Sequence, residues 1–233
     1  MRTRLSNPLA LAVLVLLFER PMHPYEMAAT LKERRKEASI KLRYGSLYTV
    51  IELLLREGYI APKETSREGR RPERTVYALT PVGDVEMREW LSDLLSNPVK
   101  EYPQFEAALS LMPALAPERA VELLESRILR LDREVERIRT ALAGAAAGVP
   151  RLFLIEAEFY IASLEAERKF VDALTREIKD GSLEGLPFWR DFHAARAAGV
   201  DTPPLERKTS SAEPVTEIAP VGRKSKAKTA KGE

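Results

Sequence analysis

Cationic side chains crowd one short stretch of the chain, residues 63–74. Five Lys and Arg residues stand there against three Glu: Lys63, Arg67, Arg70, Arg71 and Arg74. Gly69 lies among them, and a glycine allows close backbone approach or a positive φ. Guanidinium and ammonium groups at this density bind phosphate oxygens. A charged run is also often only a solvated loop, so the neighbouring elements must decide between the two interpretations.

A second group of polar side chains precedes this stretch. Its members offer hydroxyls, aromatic rings and one guanidinium: Arg43, Tyr44, Ser46, Tyr48 and Thr49. Hydroxyls donate to phosphates or base edges, and Arg43 can bridge phosphates or reach guanine O6 and N7. A helix beginning near Ser46 would also direct the positive end of its dipole toward an anion. Alone, this group is equally an ordinary solvated helix face; beside the basic stretch it predicts a nucleic-acid contact.

The residue types of the chain do not indicate a catalytic site. The chain has no Cys and two His, His23 and His193. A thiolate–zinc site is therefore excluded, and no nucleophile and base can be paired. We expect no enzyme activity, no cofactor and no metal, and we predict that His23, before Pro24, caps a helix.

The composition fits a globular protein of one or two domains. Of 233 residues, 45% are hydrophobic and 31% charged, with a net charge of +2. Residues 1–96 carry 16 Lys or Arg against 13 Asp or Glu, and residues 97–197 carry 14 against 17. The apolar run Leu9–Phe18 is too short for a membrane span, and Glu19 and Arg20 close it. We expect a cytoplasmic protein without a membrane contact.

Three helices and a hairpin precede residue 80. Asn7-Pro8 opens a helix over Leu9–Phe18, apolar on most sides, and a second, amphipathic helix covers Tyr25–Glu37. The third runs from Gly45-Ser46 to Gly58 and has a clean apolar stripe: Leu47, Val50, Ile51, Leu54 and Leu55. Strand-like segments at 59–66 and 74–79 then flank the basic stretch. This order is typical of a winged helix with a basic wing tip.

The fourth helix and the domain limits follow from caps and breaks. Thr80-Pro81 begins a helix that runs to about Leu95. The dipeptides Asn97-Pro98 and Tyr102-Pro103 then interrupt the helical spacing. We predict a mainly α protein: a winged helix-turn-helix domain over 1–96, three helices plus a β-hairpin wing, and a helical dimerisation domain over 97–197. Residues 198–233 lose periodicity and form a disordered basic tail.

A coiled-coil seam dominates the second domain. Apolar residues recur at spacings of three and four: Val121, Leu124, Ile128, Leu131, Val135, Ile138 and Leu142. A short helix over 104–111 precedes the seam, and the small residues 144–148 with Pro150 reverse the chain. A helix from Leu152 to about Ile178, with Ile155, Phe159, Ala162 and Leu174 inward, packs back as an antiparallel αα-hairpin.

The sequence resembles the PadR family of bacterial regulators. The resemblance rests on these stretches: His23–Met27, Arg43–Tyr48, Glu57–Ile60, Glu64–Tyr77 and Leu79–Pro81. It covers residues 9–95 well and the helical half more loosely. It implies a winged helix-turn-helix, a dimer formed through C-terminal helices, and repression that a small molecule relieves in some members.

These observations together predict a homodimeric regulator of double-stranded operator DNA. The seam from Val121 and the helix from Leu152 would pair the C-terminal domains. Tyr25 and Trp90 are candidates for the lining of an effector pocket, although buried aromatic residues more often belong to a core. Repression would come from occluding polymerase. The alternative is a winged-helix protein-interaction module on a helical scaffold.

Overall fold

The structure, a computed structural model, describes residues 7–40, 44–66 and 74–200. These residues form two compact units, one ending at Lys100 and one beginning at Glu101. The predicted fold class is confirmed, since the described residues are mainly helical with one two-stranded antiparallel sheet. The predicted tail falls largely outside the described residues.

Capping side chains fix the starts of the first two helices. α1 (Pro8–Glu19) follows Asn7, whose Oδ1 accepts a 3.0 Å hydrogen bond from the amide two residues on. α2 (Pro24–Glu33) follows His23, whose Nδ1 accepts one of 3.1 Å from the equivalent amide. Each pair joins a side-chain cap to a proline in the first turn, as the sequence predicted.

α2 is shorter than its apolar spacing suggested. The prediction extended the helix to Glu37, but the chain leaves it after Glu33. Arg35 has φ 53°, in the left-handed region that interrupts a right-handed helix. A 3₁₀ turn over Lys36–Ala38 follows. The apolar spacing could not reveal this break, because it depends on the backbone of one exposed arginine.

α3 (Tyr44–Arg56) and the hairpin follow the predicted order. Gly58, at φ 72°, ends the helix with a left-handed residue. The chain then enters β1 (Ile60–Ser66), and the return strand is β2 (Arg74–Leu79). The strands pair antiparallel from Ile60 opposite Leu79 to Ser66 opposite Arg74, with a shift in register between Pro62 and Glu64.

β2 also has a partner on its other side. The amide of Tyr77 donates to the carbonyl of Met22 at 3.0 Å, and the amide of Met22 donates to the carbonyl of Tyr77 at 3.1 Å. Pro62, which lies opposite Tyr77 in β1, has no amide hydrogen to donate. This costs no hydrogen bond, because both backbone groups of Tyr77 are already bonded to Met22. The hairpin is thereby tied to the connection between α1 and α2.

α4 (Pro81–Ser96) starts against the end of α3. The hydroxyl of Thr80 lies 2.7 Å from the carbonyl oxygen of Gly58 and 3.0 Å from that of Tyr59, and it accepts from the amide of Gly83 at 3.0 Å. A Cβ on Gly83 would lie 2.0 Å from the Tyr59 carbonyl oxygen. No side chain other than hydrogen fits there, so α4 can approach this closely only with glycine.

One apolar core holds the first unit together. α1 is buried on most sides, as predicted, and it packs against α3, β2 and α4. The largest fully buried side chains of this core are Leu9, Leu14, Met22, Met27, Leu47 and Leu54. α1 is thus the central helix on which α3 is placed.

The second unit has four α-helices between residues 101 and 200. They are α5 (Gln104–Leu111), α6 (Pro117–Ala146), α7 (Ile155–Asp180) and α8 (Leu186–Ala197), with 3₁₀ turns at Met112–Ala114 and Arg151–Phe153. α6 and α7 pack side by side in opposite directions. Ion pairs between the two helices link Arg127 to Glu167 and Glu125 to Lys179.

The predicted seam of α6 is used within the chain. Four of its seven positions are buried, namely Leu124, Leu131, Val135 and Ile138, and the other three, Val121, Ile128 and Leu142, are half-buried. α7 supplies the opposing side chains, among them Val171 and Ile178. The seam is therefore mostly covered in a single copy of the chain.

The inward face predicted for the start of α7 was wrong. Leu152 lies in the 3₁₀ turn and is 72% exposed, Ile155 is 48% exposed and Phe159 73%; Ala162 is exposed as well. The helix carries two apolar stripes at the same spacing. Leu154, Ala157, Ile161 and Leu164 belong to the half-buried one. Spacing alone does not tell which stripe faces α6.

Among residues 7–40, 44–66 and 74–200, no helix has both the length and the apolar character that crossing a membrane requires.

The close approach at Gly83 predicts a severe effect of one methyl group. We expect Gly83→Ala to lower the free energy of unfolding by at least about 2 kcal/mol, because backbone rather than a flexible side chain occupies the space. Urea denaturation followed by circular dichroism measures this.

Gly144→Ala is the matched control for that substitution. Gly144 lies in α6, and a Cβ there meets nothing within 4 Å. Alanine should stabilise this helix by up to about 1 kcal/mol. Equal stability of the Gly83 variant and the original chain would contradict the close packing of α4 on Tyr59.

Candidate nucleic-acid interface

α3 divides into a buried face and a polar face. Leu47, Val50, Ile51 and Leu54 are buried in the core of the first unit. This burial leaves a stripe near the start of the helix exposed. Tyr48 is 51% exposed, Thr49 is exposed and Ser46 is half-buried. The structure thus brings together three of the predicted contact residues on one surface.

The hydroxyl of Thr49 has a defined partner. Its Oγ1 donates to the carbonyl oxygen of Gly45, one turn earlier, at 3.1 Å. The hydroxyl proton is used in the helix, so the lone pairs and the methyl group remain for a partner outside it. Thr49 is therefore suited to accept from an amino group, or to contact a methyl group, of a base edge in the major groove.

Two further residues continue the polar stripe. Glu52 and Arg56 lie three and seven residues after Thr49, and both are exposed. A carboxylate can accept from the amino group of cytosine, and a guanidinium can reach phosphate. Neither residue was among the predicted contacts, although the helical repeat that places Tyr48 and Thr49 extends to both positions.

A cleft lies beside the start of α3. It has a volume of about 560 Å³, and its walls include Asn7, Ser46 and Thr49. The first turns of α1 and α3 meet here, since Asn7 is the cap of α1. Helix starts carry partial positive charge, so both turns favour an anionic group at this edge.

The described part of the hairpin presents one cation of the basic stretch. Lys63 is exposed and lies at the register shift between Pro62 and Glu64. It is the extra residue of β1 at this β-bulge and has no pairing partner on β2. Arg74 begins β2, but its side chain lies outside the described residues, as does that of Tyr44. Five further predicted residues lie outside the described residues altogether: Arg43, Arg67, Gly69, Arg70 and Arg71.

Two arginines elsewhere in the first unit form ion pairs. Arg34 donates to both carboxylate oxygens of Glu19, at 2.5 and 2.7 Å, and Arg20 pairs with Glu26 at 2.5 Å. The hydrogen bond from Arg34 holds the pKa of Glu19 below its usual range, and that from Arg20 does the same for the pKa of Glu26. These carboxylates stay ionised at neutral pH and neutralise Arg20 and Arg34, the residues that directly follow α1 and α2.

The proposed effector residues lie in different environments. Trp90 is buried in the core of the first unit, whereas Tyr25 is 69% exposed. Neither lines either of the two cavities described in this structure. Their role as a pocket stays a prediction. Within the described ranges, no group of three or more His, Asp and Glu is placed to hold a metal ion.

Comparison with known proteins gives a family match for part of the chain and a fold for most of it. Residues 13–89 match the model of the Transcriptional regulator PadR-like family. No curated protein matches the chain. Among solved structures, Bacillus subtilis PadR in complex with operator DNA aligns with a TM-score of 0.59 and 18% identity, over 74% of this chain and 99% of that chain.

Two other solved structures share the fold. Bacillus subtilis PadR in complex with p-coumaric acid aligns at a TM-score of 0.57 and 16% identity, over 75% of this chain and 99% of that chain. The Vibrio cholerae virulence activator AphA aligns at 0.54 and 15%, over 74% and 98%. The family match covers the helices and hairpin that build the polar surface, and it confirms the resemblance drawn from the sequence. Residues 13–89 are thus similar to the Transcriptional regulator PadR-like family, and 74% of the chain aligns with the fold of Bacillus subtilis PadR.

Proposed function

We propose that the chain is a sequence-specific DNA-binding regulator that acts as a homodimeric repressor. The observation that carries the proposal is the polar stripe at the start of α3, with Tyr48 and Thr49 exposed above a fully buried opposite face. An α-helix with such a face fits the major groove of B-DNA. The relative in complex with operator DNA supports the same use of the fold.

The two parts of the surface have different tasks. Ser46, Tyr48 and Thr49 meet base edges and thus select the sequence, while the hairpin cations hold phosphates and supply affinity. Lys63 is the described member of the hairpin group. Phosphate contacts release counterions, so this share of the affinity falls with salt concentration.

The dimer forms through the exposed stripe at the start of α7. Leu152, Ile155 and Phe159 are large, apolar and exposed, and Phe153 is 66% exposed beside them. An exposed apolar cluster of this kind marks an association surface. The seam of α6 acts indirectly, because it holds α7 in place. A two-fold dimer then reads half-sites about 10 to 10.5 base pairs apart, or a multiple of that spacing.

Repression follows from occupying a promoter, and a small molecule releases the protein. Bacillus subtilis PadR in complex with p-coumaric acid supports an effector-responsive regulator. Footprinting upstream of the chain's own gene, with and without metabolite extract, tests binding and release together. A reporter behind that promoter should rise when the regulator is deleted; a fall would show an activator.

Arg70→Ala tests the hairpin tip. We expect weaker binding to operator and random DNA alike, with the slope of log K against log salt reduced by about one, because one phosphate contact is lost. Fluorescence anisotropy over a salt series measures this. Arg119→Ala, which removes an exposed arginine of the second unit, should leave the slope unchanged. An unchanged slope in the Arg70 variant would refute the hairpin contact.

Thr49→Val tests sequence choice on α3. It removes the hydroxyl but keeps the shape, and because Thr49 is exposed the stability should change by no more than about 0.5 kcal/mol. We expect about fivefold weaker binding to the footprinted operator and little change on random DNA. Thr49→Ser, which keeps the hydroxyl, is the control. Equal losses on both DNAs would exclude a role in base recognition.

Phe159→Glu tests the dimer surface. A charge buried in an apolar contact without a partner is costly, so the dimer dissociation constant should rise at least about tenfold. Sedimentation velocity measures it. Phe188→Glu, at an aromatic position 53% exposed on α8, should remain dimeric. A Phe159 variant that dimerises as well as the original chain would place the interface elsewhere.

A further inference from the structure

α3 carries a carboxylate in the middle of its polar stripe. Glu52 follows Tyr48 by four residues and Thr49 by three, so the three side chains lie on one face of the helix. Glu52 is exposed, while Ile51 beside it is 2% exposed and belongs to the core. The helix cannot rotate Glu52 away from this face without lifting Ile51 and Leu54 out of that core. A partner that binds Tyr48 and Thr49 therefore meets the carboxylate as well.

The carboxylate of Glu52 has no partner among the described residues. No cation of the described ranges lies within 4 Å of it, and it accepts no hydrogen bond from them. Arg56 stands four residues later, at the spacing that favours a Glu–Arg pair in a helix, yet its guanidinium approaches Glu57 at 3.4 Å instead. The carboxylates of Glu19 and Glu26 differ, since an arginine holds each of them. The acceptor oxygens of Glu52 are thus available to a partner outside the chain.

Such a carboxylate opposes nonspecific DNA binding. An ionised Glu accepts hydrogen bonds and donates none, so it repels phosphate oxygens and base acceptors alike. When α3 enters the major groove, the carboxylate loses water, and an unpaired charge that loses water is costly. Hairpin cations such as the exposed Lys63 attract every DNA sequence, whereas Glu52 lowers the affinity for every site that offers it no donor. The effect of Glu52 therefore depends on the base opposite it.

Two bases present an amino donor in the major groove, cytosine and adenine. Adenine carries the acceptor N7 directly beside its N6 amino group, so a carboxylate that accepts from N6 also meets the lone pair of N7. Cytosine presents its N4 amino group without an acceptor of its own beside it. Guanine and thymine present no donor at this edge. Cytosine is therefore the base that a carboxylate at position 52 favours.

We propose that Glu52 is a specificity-determining residue that selects a cytosine in each half-site, chiefly by weakening binding to every other base at that position. The proposal rests on the proposed function, because it requires α3 to lie in the major groove. Within that function, charges of opposite sign have opposite tasks. The hairpin cations raise the affinity for all DNA, and Glu52 lowers it for all sequences except the matching one, which is discrimination through a repulsive element.

Selection of binding sites from a random duplex library, with the full chain and with Glu52→Gln, tests the base preference. The original chain should require cytosine at one position of each half-site, and the variant should relax that position alone. In fluorescence anisotropy, Glu52→Gln should bind random DNA about threefold more tightly and lose about tenfold of its preference for the selected duplex. The melting temperature should not change, because Glu52 is exposed.

Two control variants separate charge from reach. Glu52→Asp keeps the charge but shortens the side chain by one methylene, so it should weaken binding to the selected duplex and leave the affinity for random DNA unchanged. Glu136→Gln removes the same charge from an exposed position of α6, in the second unit, and should change neither affinity. Tighter binding of random DNA by both Gln variants would assign the effect to net charge and overturn the proposal.

The outcomes distinguish this proposal from the proposed function. The proposal is overturned if Glu52→Gln leaves the random-DNA affinity and every base preference unchanged, or if it weakens both duplexes equally, as a merely structural role would. Relaxation at adenine instead of cytosine would overturn the choice of base. In each case, weaker binding of the selected duplex by Thr49→Val would leave the proposed function standing. An original chain that binds neither duplex would refute the proposed function, and this proposal with it.

Discussion

Thr80 and the two carbonyl groups it meets hold the first unit in its functional arrangement. The hydroxyl lies 2.7 Å from the oxygen of Gly58 and 3.0 Å from that of Tyr59, and the amide of Thr80 also donates to Tyr59 at 3.0 Å. Gly58 and Tyr59 join α3 to β1, and Thr80 joins β2 to α4. One cluster of bonds therefore fixes the end of the polar helix, the base of the hairpin and the start of the next helix. Tyr59 is buried and Thr80 half-buried, so a carbonyl of Tyr59 left without a donor would carry a desolvation cost.

That arrangement decides which side chains α3 can offer. Leu47 and Val50 are anchored in the core, so the residues between them face outward whatever their identity. The hydroxyl of Thr49 bonds to Gly45, which turns a general donor into a directed acceptor. Under the proposed function, the surface discriminates through acceptors and methyl groups, while cations on the hairpin carry attraction to phosphate. Separating these two tasks lets sequence choice change without loss of general affinity.

The parts of this fold that local chemistry controls could be predicted from the sequence. The caps at Asn7, His23 and Thr80 and the apolar stripe of α3 are written in neighbouring residues, and the structure has all of them. The break at Arg35 could not be predicted, since a non-glycine residue enters the left-handed region only where its surroundings require it. The contact residues of the hairpin tip remain predictions, as they lie outside the described residues.

α7 shows a different limit of prediction. Its two apolar stripes have the same helical spacing, so the sequence alone could not tell that Phe159 faces solvent while Leu164 faces α6. The same helix therefore packs on α6 through one stripe and offers Ile155 and Phe159 of the other stripe to the proposed dimer surface. In the proposed dimer, the two-fold contact at this stripe sets the spacing of the two α3 helices, so a change at Phe159 reaches the DNA without altering any residue of α3.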